Sequence, residues 1–168
     1  TGTRLSPLTK AVNKQLLPLY DKPLIFYPLS ILMLAGIRNI LIIVNDGQEK
    51  NFFNILGTGK RFGITIKYKI QKKPRGIADA FILGKDFIKA DNVALILGDN
   101  FFYGQSLTGK LLKAKTHNLG ATVFLKKVNN PNSFGVAVIK NAQITNIVEK
   151  PKKFISNQAI TGLYFFDN

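Results

Sequence analysis

The sequence contains no cysteine, which removes disulfide frameworks, thiol nucleophiles and cysteine-based zinc sites together. Histidine occurs once, as His117, in no motif with a nucleophile, so the sequence argues against a Ser-His-Asp hydrolase or a histidine metal site and places His117 at a helix end on the surface. No apolar run reaches the roughly 18 residues of a membrane span. The longest candidate, residues 25–37, is interrupted by Pro28 and Ser30. No targeting segment heads the sequence, and a cytoplasmic protein without a membrane partner is expected. There is no Gly-Lys-Ser/Thr phosphate loop and no full G-x-G-x-x-G. A concentrated basic patch is also missing. The formal charge is +15, but 20 of the 24 basic residues are lysines scattered as singles and pairs such as Lys72-Lys73 and Lys126-Lys127. Spread this way most read as solvated surface; a phosphorylated small molecule suits the charge as well as a polyanion does, so the charge alone chooses no partner, and no specific nucleic-acid partner is expected.

What is present is a core-forming chain. Hydrophobic residues make up 46% of 168, enough for one domain spanning residues 1–168. Residues 23–35 carry apolar side chains at helical spacing and stop at Gly36. Residues 40–44 form a short, mostly β-branched run, the pattern of a parallel strand covered on both faces. Helical spacing returns over residues 48–56, 77–88 and 107–115, with strand patterns at 64–70, 93–97 and 121–125. After residue 128 the character changes to short strands separated by turns, with Asn129-Asn130-Pro131-Asn132 and Lys140-Asn141 supplying turn chemistry. This alternation predicts an α/β fold: a Rossmann-like, mostly parallel sheet flanked by helices, with an antiparallel element towards the C-terminus. The opening Thr1-Gly2-Thr3-Arg4 reads as half of a loop that needs a strand before it, and 163–166 is a strand with no element after it, so the expectation is a domain truncated at both ends.

With only nine carboxylates, each can be weighed. Asp99 follows Leu95-Ile96-Leu97-Gly98 and so stands at the carboxyl end of a buried strand, where open α/β sheets place ligands and where one carboxylate can hold Mg²⁺ against phosphates. A plain strand-to-loop turn is the alternative. Thr1-Gly2-Thr3-Arg4 offers turn N–H groups and a guanidinium fork to phosphate oxygens, and Lys14 a second positive charge nearby. Glu149-Lys150 pairs one of two glutamates with an ammonium, either for a sugar hydroxyl and a phosphate or as a surface ion pair before Pro151. Thr1 as an N-terminal nucleophile would require an antiparallel sandwich, against the α/β pattern.

Taken in order, Gly2-Thr3-Arg4-Leu5, Pro7, Thr9, Lys14-Gln15-Leu16-Leu17-Pro18 and Asp21-Lys22-Pro23 resemble the signature of the sugar nucleotidylyltransferases. Tyr27-Pro28-Leu29-Ser30, Gly98-Asp99-Asn100 and Ala159-Ile160-Thr161-Gly162-Leu163 are similar to the glucose-1-phosphate thymidylyltransferase branch, and the resemblance covers essentially the whole chain. It implies a nucleotide-diphospho-sugar transferase fold, dTTP and glucose 1-phosphate as substrates, Mg²⁺ as cofactor and a homotetrameric full-length enzyme. It also implies roles. Gly2, Thr3 and Arg4 surround the triphosphate, Arg4 and Lys14 neutralise the reacting phosphates, and Asp99 is one of two metal-binding aspartates. Gln71 and Gly76 read thymine. Gly135, Glu149 and Lys150 contact glucose 1-phosphate, with Ile160 and Thr161 lining that pocket, and Phe134 stands where many members carry tyrosine. Rival readings are a uridylyltransferase or another member of the superfamily, a non-catalytic nucleotide-sugar-binding remnant, and a basic nucleic-acid-binding domain.

Overall fold

The structure is a computed structural model that describes residues 5–7, 12–73, 75–117 and 119–168. A 3-10 turn at Lys14–Leu16 leads into a two-stranded hairpin of β1 (Pro18–Leu19) and β2 (Lys22–Pro23). Helix α1 (Phe26–Leu34) follows, with Pro28 in its first turn, where a missing N–H breaks no helical bond. Strand β3 (Asn39–Asn45) then pairs in parallel with β4 (Thr65–Gln71), and the crossover between them carries α2 (Glu49–Leu56).

Helix α3 (Asp79–Ile88) leads to β5 (Val93–Ile96), and α4 (Leu107–Thr116) to β6 (Ala121–Lys127). The remaining strands are β7 (Gly135–Lys140), β8 (Gln143–Glu149) and β9 (Gln158–Phe166). β9 is the spine of this second sheet. β6 runs along it from Gln158 to Phe166, while β5 pairs with its last four residues and β7 touches it at Ala159. β7 and β8 form a hairpin through Asn141 and Ala142, both at positive φ as a tight hairpin turn requires.

Two apolar clusters share α1 as their common wall. Leu29 and Leu32 pack with Ile40, Ile42, Phe52 and Leu56. Ile31 and Ala35, on another side of the same helix, pack with Leu111, Leu163 and Phe165. A nine-residue helix apolar on several sides is buried rather than amphipathic, and here it ties the two sheets together.

The α/β class and the antiparallel C-terminal element are as the sequence patterns imply, but the sheets are mixed rather than mostly parallel. Among the described residues parallel pairing is confined to β3 and β4, and every ladder of the second sheet is antiparallel. A short apolar run reports burial on both faces and says nothing about the direction of the neighbour. For β5 that neighbour is β9, the last strand of the chain, in register Val93↔Phe166. Between β3 and β5 lies a slot of about 1060 Å³, lined by Ile40, Ile42 and Val44 of β3, Ala94 and Ile96 of β5, and Phe81 and Gly84 of α3.

Candidate functional site

Asn45 and Gln71, at the carboxyl ends of the parallel β3 and β4, and Gly98, just past the carboxyl end of β5, all line this slot, together with Asn13, Gln15 and Gly76. Open α/β sheets bind ligands at such an edge. Two of the residues expected to meet phosphates stand beside it. The Asn13 side chain accepts from the Gln15 N–H at 3.1 Å, capping the 3-10 turn that carries Lys14. Gln15 is tied in turn to the start of α1, its carbonyl accepting from Ile25 N–H at 2.8 Å.

On the other side, Leu97 N–H donates to Gly162 O at 2.9 Å and Asn100 N–H to Leu97 O at 3.1 Å, which sets the turn holding Asp99. Lys14 Nζ then donates to Asp99 Oδ2 at 2.8 Å. Both side chains are one-third exposed, so the pair is open to solvent and to a ligand. The chain approaches closely behind this turn: a Cβ on Gly162 would lie 2.6 Å from Leu97 Cδ1.

Gln71 ends β4, opposite Asn45, and Gly76 follows with φ +97°. Both line the slot. Gln71 Nε2 donates to Asp79 Oδ2 at 2.7 Å, and Asp79 is only 8% exposed, the buried charged side chain among the described residues. Sequence reasoning passed over Asp79. The signal was a carboxylate in an otherwise apolar helical pattern, and its place in the first turn of α3, where the helix dipole favours an anion, is what keeps it tolerable there.

A second group forms where β7 and β8 meet. Gly135 and Glu149 are directly paired, and a Cβ on Gly135 would fall 2.8 Å from Glu149 Oε2, so glycine leaves room for the carboxylate. Lys150 N–H donates to Phe134 O at 3.0 Å, and its ammonium lies 3.7 Å from Glu149 Oε1 with both side chains largely exposed. As a bare ion pair this contributes little to stability. Ile160 and Thr161 are half-buried on β9, with Thr161 Oγ1 donating to Phe124 O at 2.7 Å. Burial, and secondarily the Glu149 carboxylate, pushes the Tyr164 hydroxyl above its ordinary value.

The structure thus brings Lys14 to Asp99, sets Gln71 and Gly76 around one slot, and joins Gly135, Glu149 and Lys150 at one hairpin end. Gly2, Thr3 and Arg4 lie outside the described residues. His117 sits at the exposed end of α4 beside Thr116, as expected. Among the described residues no three carboxylates or histidines converge on a metal-sized site, and no helix is long and apolar enough to cross a membrane.

A sequence model of nucleotidyl transferases matches residues 1–168. The chain belongs to the nucleotidyl transferase family. Among curated relatives of this family it is 54% identical over 169 residues to a glucose-1-phosphate thymidylyltransferase of Neisseria meningitidis serogroup A, a match covering 100% of this chain and 59% of that protein. It is 50% identical over 168 residues to the glucose-1-phosphate thymidylyltransferase of Xanthomonas campestris pv. campestris strain B100, covering 99% of this chain and 57% of that protein. The chain therefore spans just under three fifths of these relatives' length. A Bacillus anthracis crystal structure described as a glucose-1-phosphate thymidylyltransferase, in complex with a sucrose, superposes with TM-score 0.92 at 39% identity, over 99% of this chain and 68% of that one. A UDP-glucose pyrophosphorylase complexed with UDP-glucose gives TM-score 0.79 at 26% identity, over 98% of this chain and 72% of that one. These likenesses agree with the α/β fold and its mixed sheets.

Proposed function

We propose that the protein carrying this chain converts dTTP and glucose 1-phosphate to dTDP-glucose and pyrophosphate. The observation that carries the reading is the Lys14–Asp99 pair just past the carboxyl end of β5, whose chain neighbours Gln15 and Gly98 line the same slot as Gln71 and Gly76, in a chain whose relatives bear that activity by name. A phosphate oxygen of glucose 1-phosphate forms a bond to the α-phosphorus of dTTP in line. The bond from that phosphorus to the bridging oxygen of the β-phosphate breaks, and pyrophosphate leaves with the electron pair. Such a transfer asks the protein mainly for positioning and charge neutralisation.

Lys14 and Arg4 meet the crowded phosphate oxygens, Gly2 and Thr3 offer backbone N–H groups to the triphosphate, and Gln71 and Gly76 hold the base. Gly135, Glu149 and Lys150 hold the sugar phosphate, beside Ile160 and Thr161. Mg²⁺ fits Asp99: a hard carboxylate oxygen at a strand's carboxyl edge, one-third exposed, of the kind of which Mg²⁺ takes one or two. When bound it would supply charge neutralisation on the nucleotide phosphates.

We also propose that residues 1–168 belong to one nucleotidylyltransferase domain and that the full protein is a cytoplasmic homotetramer. The runner-up is a uridylyltransferase, favoured by the likeness to a UDP-glucose pyrophosphorylase and by the imide edge that thymine and uracil share. Pyrophosphate release with glucose 1-phosphate and each of dTTP, UTP, ATP and GTP decides between them. Turnover best with dTTP is expected; release only with a purine nucleotide, or none with any, overturns the proposal.

A further inference from the structure

Gln71, Ile77 and Ala80 line the slot, whereas Asp79 is not part of that lining and is only 8% exposed. The Gln71 amide is thus held at Nε2 by a carboxylate that can only accept, which leaves Oε1 and the second N–H for a base. From this we infer that Asp79 is a positioning residue that locks the orientation of the Gln71 amide and so sets which pyrimidine edge the site accepts. The inference rests on the proposed role of Gln71 as a base contact.

A glutamine amide left to itself reads two opposite patterns. With Oε1 opposite N3 and an N–H opposite position 4 it matches the imide of thymine or uracil, whose N3 donates and whose O4 accepts. Rotated by half a turn it matches cytosine, whose N3 accepts and whose amino group donates. The rotated amide would point Oε1 at the Asp79 carboxylate, two acceptors facing each other without a proton at a side chain only 8% exposed. With Nε2 committed to Asp79 Oδ2 at 2.7 Å, one orientation survives. The lock acts between imide and cytosine. It does nothing to separate thymine from uracil, which present the same edge to it.

The substitution Asp79→Asn keeps the shape but supplies both a donor and an acceptor, so the amide can settle either way round. Binding of dTTP, UTP and dCTP to wild type, Asp79→Asn and Gln71→Ala, measured by calorimetry in the protein carrying this chain, tests the idea. In Asp79→Asn the preference for dTTP over dCTP should fall about tenfold or more while the dTTP to UTP ratio stays constant. Equal weakening of all three nucleotides would mean that Asp79 merely braces the fold and would overturn the inference. Gln71→Ala separates the two layers. If it leaves the dTTP preference intact, the base-contact reading fails; if it abolishes the preference while Asp79→Asn does not, only the lock fails. A wild type indifferent to the base overturns both. Should Asp79→Asn fold poorly, proton exchange at Gln71 Nε2 in the unliganded wild type gives the answer without mutation. One slowly exchanging, shifted amide proton supports the lock, and two that exchange like a free side-chain amide overturn it.

Discussion

The ammonium of Lys14 donates to the carboxylate of Asp99 at 2.8 Å across 85 residues of sequence. One partner rides on a capped 3-10 turn and the other on the turn after β5, so each is fixed by local backbone bonds before they meet. Because both are one-third exposed, the pair is a weak contributor to stability, about 1 kcal/mol or less. Its effect on turnover should be far larger. Lys14→Ala and Asp99→Asn are each expected to lower kcat by about 100-fold or more, with thermal midpoints near wild type. Assays across a Mg²⁺ titration, alongside calorimetric melting, check both halves. Unchanged turnover and Mg²⁺ dependence in Asp99→Asn would remove Asp99 from the site.

Gly135 makes room for Glu149. Adding a methyl there, Gly135→Ala, puts a Cβ 2.8 Å from Oε2 and must push the carboxylate aside. The KM for glucose 1-phosphate should rise roughly tenfold with little change in that for dTTP, as expected when one ordered polar contact is displaced. Steady-state kinetics with each substrate varied in turn would measure the split, and an equal rise in both constants would contradict the assignment.

Leu163 is fully buried in β9, packed with Ile31 of α1 and Leu111 of α4. Truncation to alanine leaves a cavity at the meeting point of two helices and the sheet spine. A loss of about 2–5 kcal/mol is expected. Urea titration of Leu163→Ala against wild type gives the number.

The Tyr164 and Tyr68 hydroxyls are both pushed above the usual tyrosine value of 10.0, by burial first and by Glu149 and Glu49 second. A folded-state value above the unfolded one means that the folded protein holds its proton longer. Stability from these groups is therefore full below about pH 10 and is lost as pH rises through the folded values. Urea midpoints measured from pH 8 to 11 should decline at the alkaline end, and Tyr164→Phe should flatten that decline. Tyr68 also donates to Gly57 O at 2.7 Å, so Tyr68→Phe would lose a hydrogen bond at every pH and is the poorer probe.

Most elements were legible because their signals are local. The apolar spacing of α1 and its stop at Gly36, the β-branched run of β3 and the turn residues between β7 and β8 all act through neighbours a few positions away. Sheet direction was not legible in the same way. β3 and β5 read alike as short buried runs, yet the first pairs in parallel and the second antiparallel, because the partner is chosen by connectivity and packing far along the chain. Asp79 was missed for a related reason: a single carboxylate in a helical pattern looks like surface until the fold buries it against Gln71.

The amino-acid sequence by itself determined the α/β class, the order of helices and strands, and the ordered motifs from Gly2 to Pro23 and around Asp99 that mark the family, since propensity, periodicity and motif order are properties of neighbouring residues. Only the tertiary structure decided that Lys14 meets Asp99, that Gly135 sits under Glu149 and that Asp79 grips Gln71. Each of those is a meeting of residues carried by different elements, so its geometry depends on how those elements pair or pack: a ladder register for Gly135 and Glu149, a strand against the next helix for Gln71 and Asp79, and parts of the chain 85 residues apart for Lys14 and Asp99.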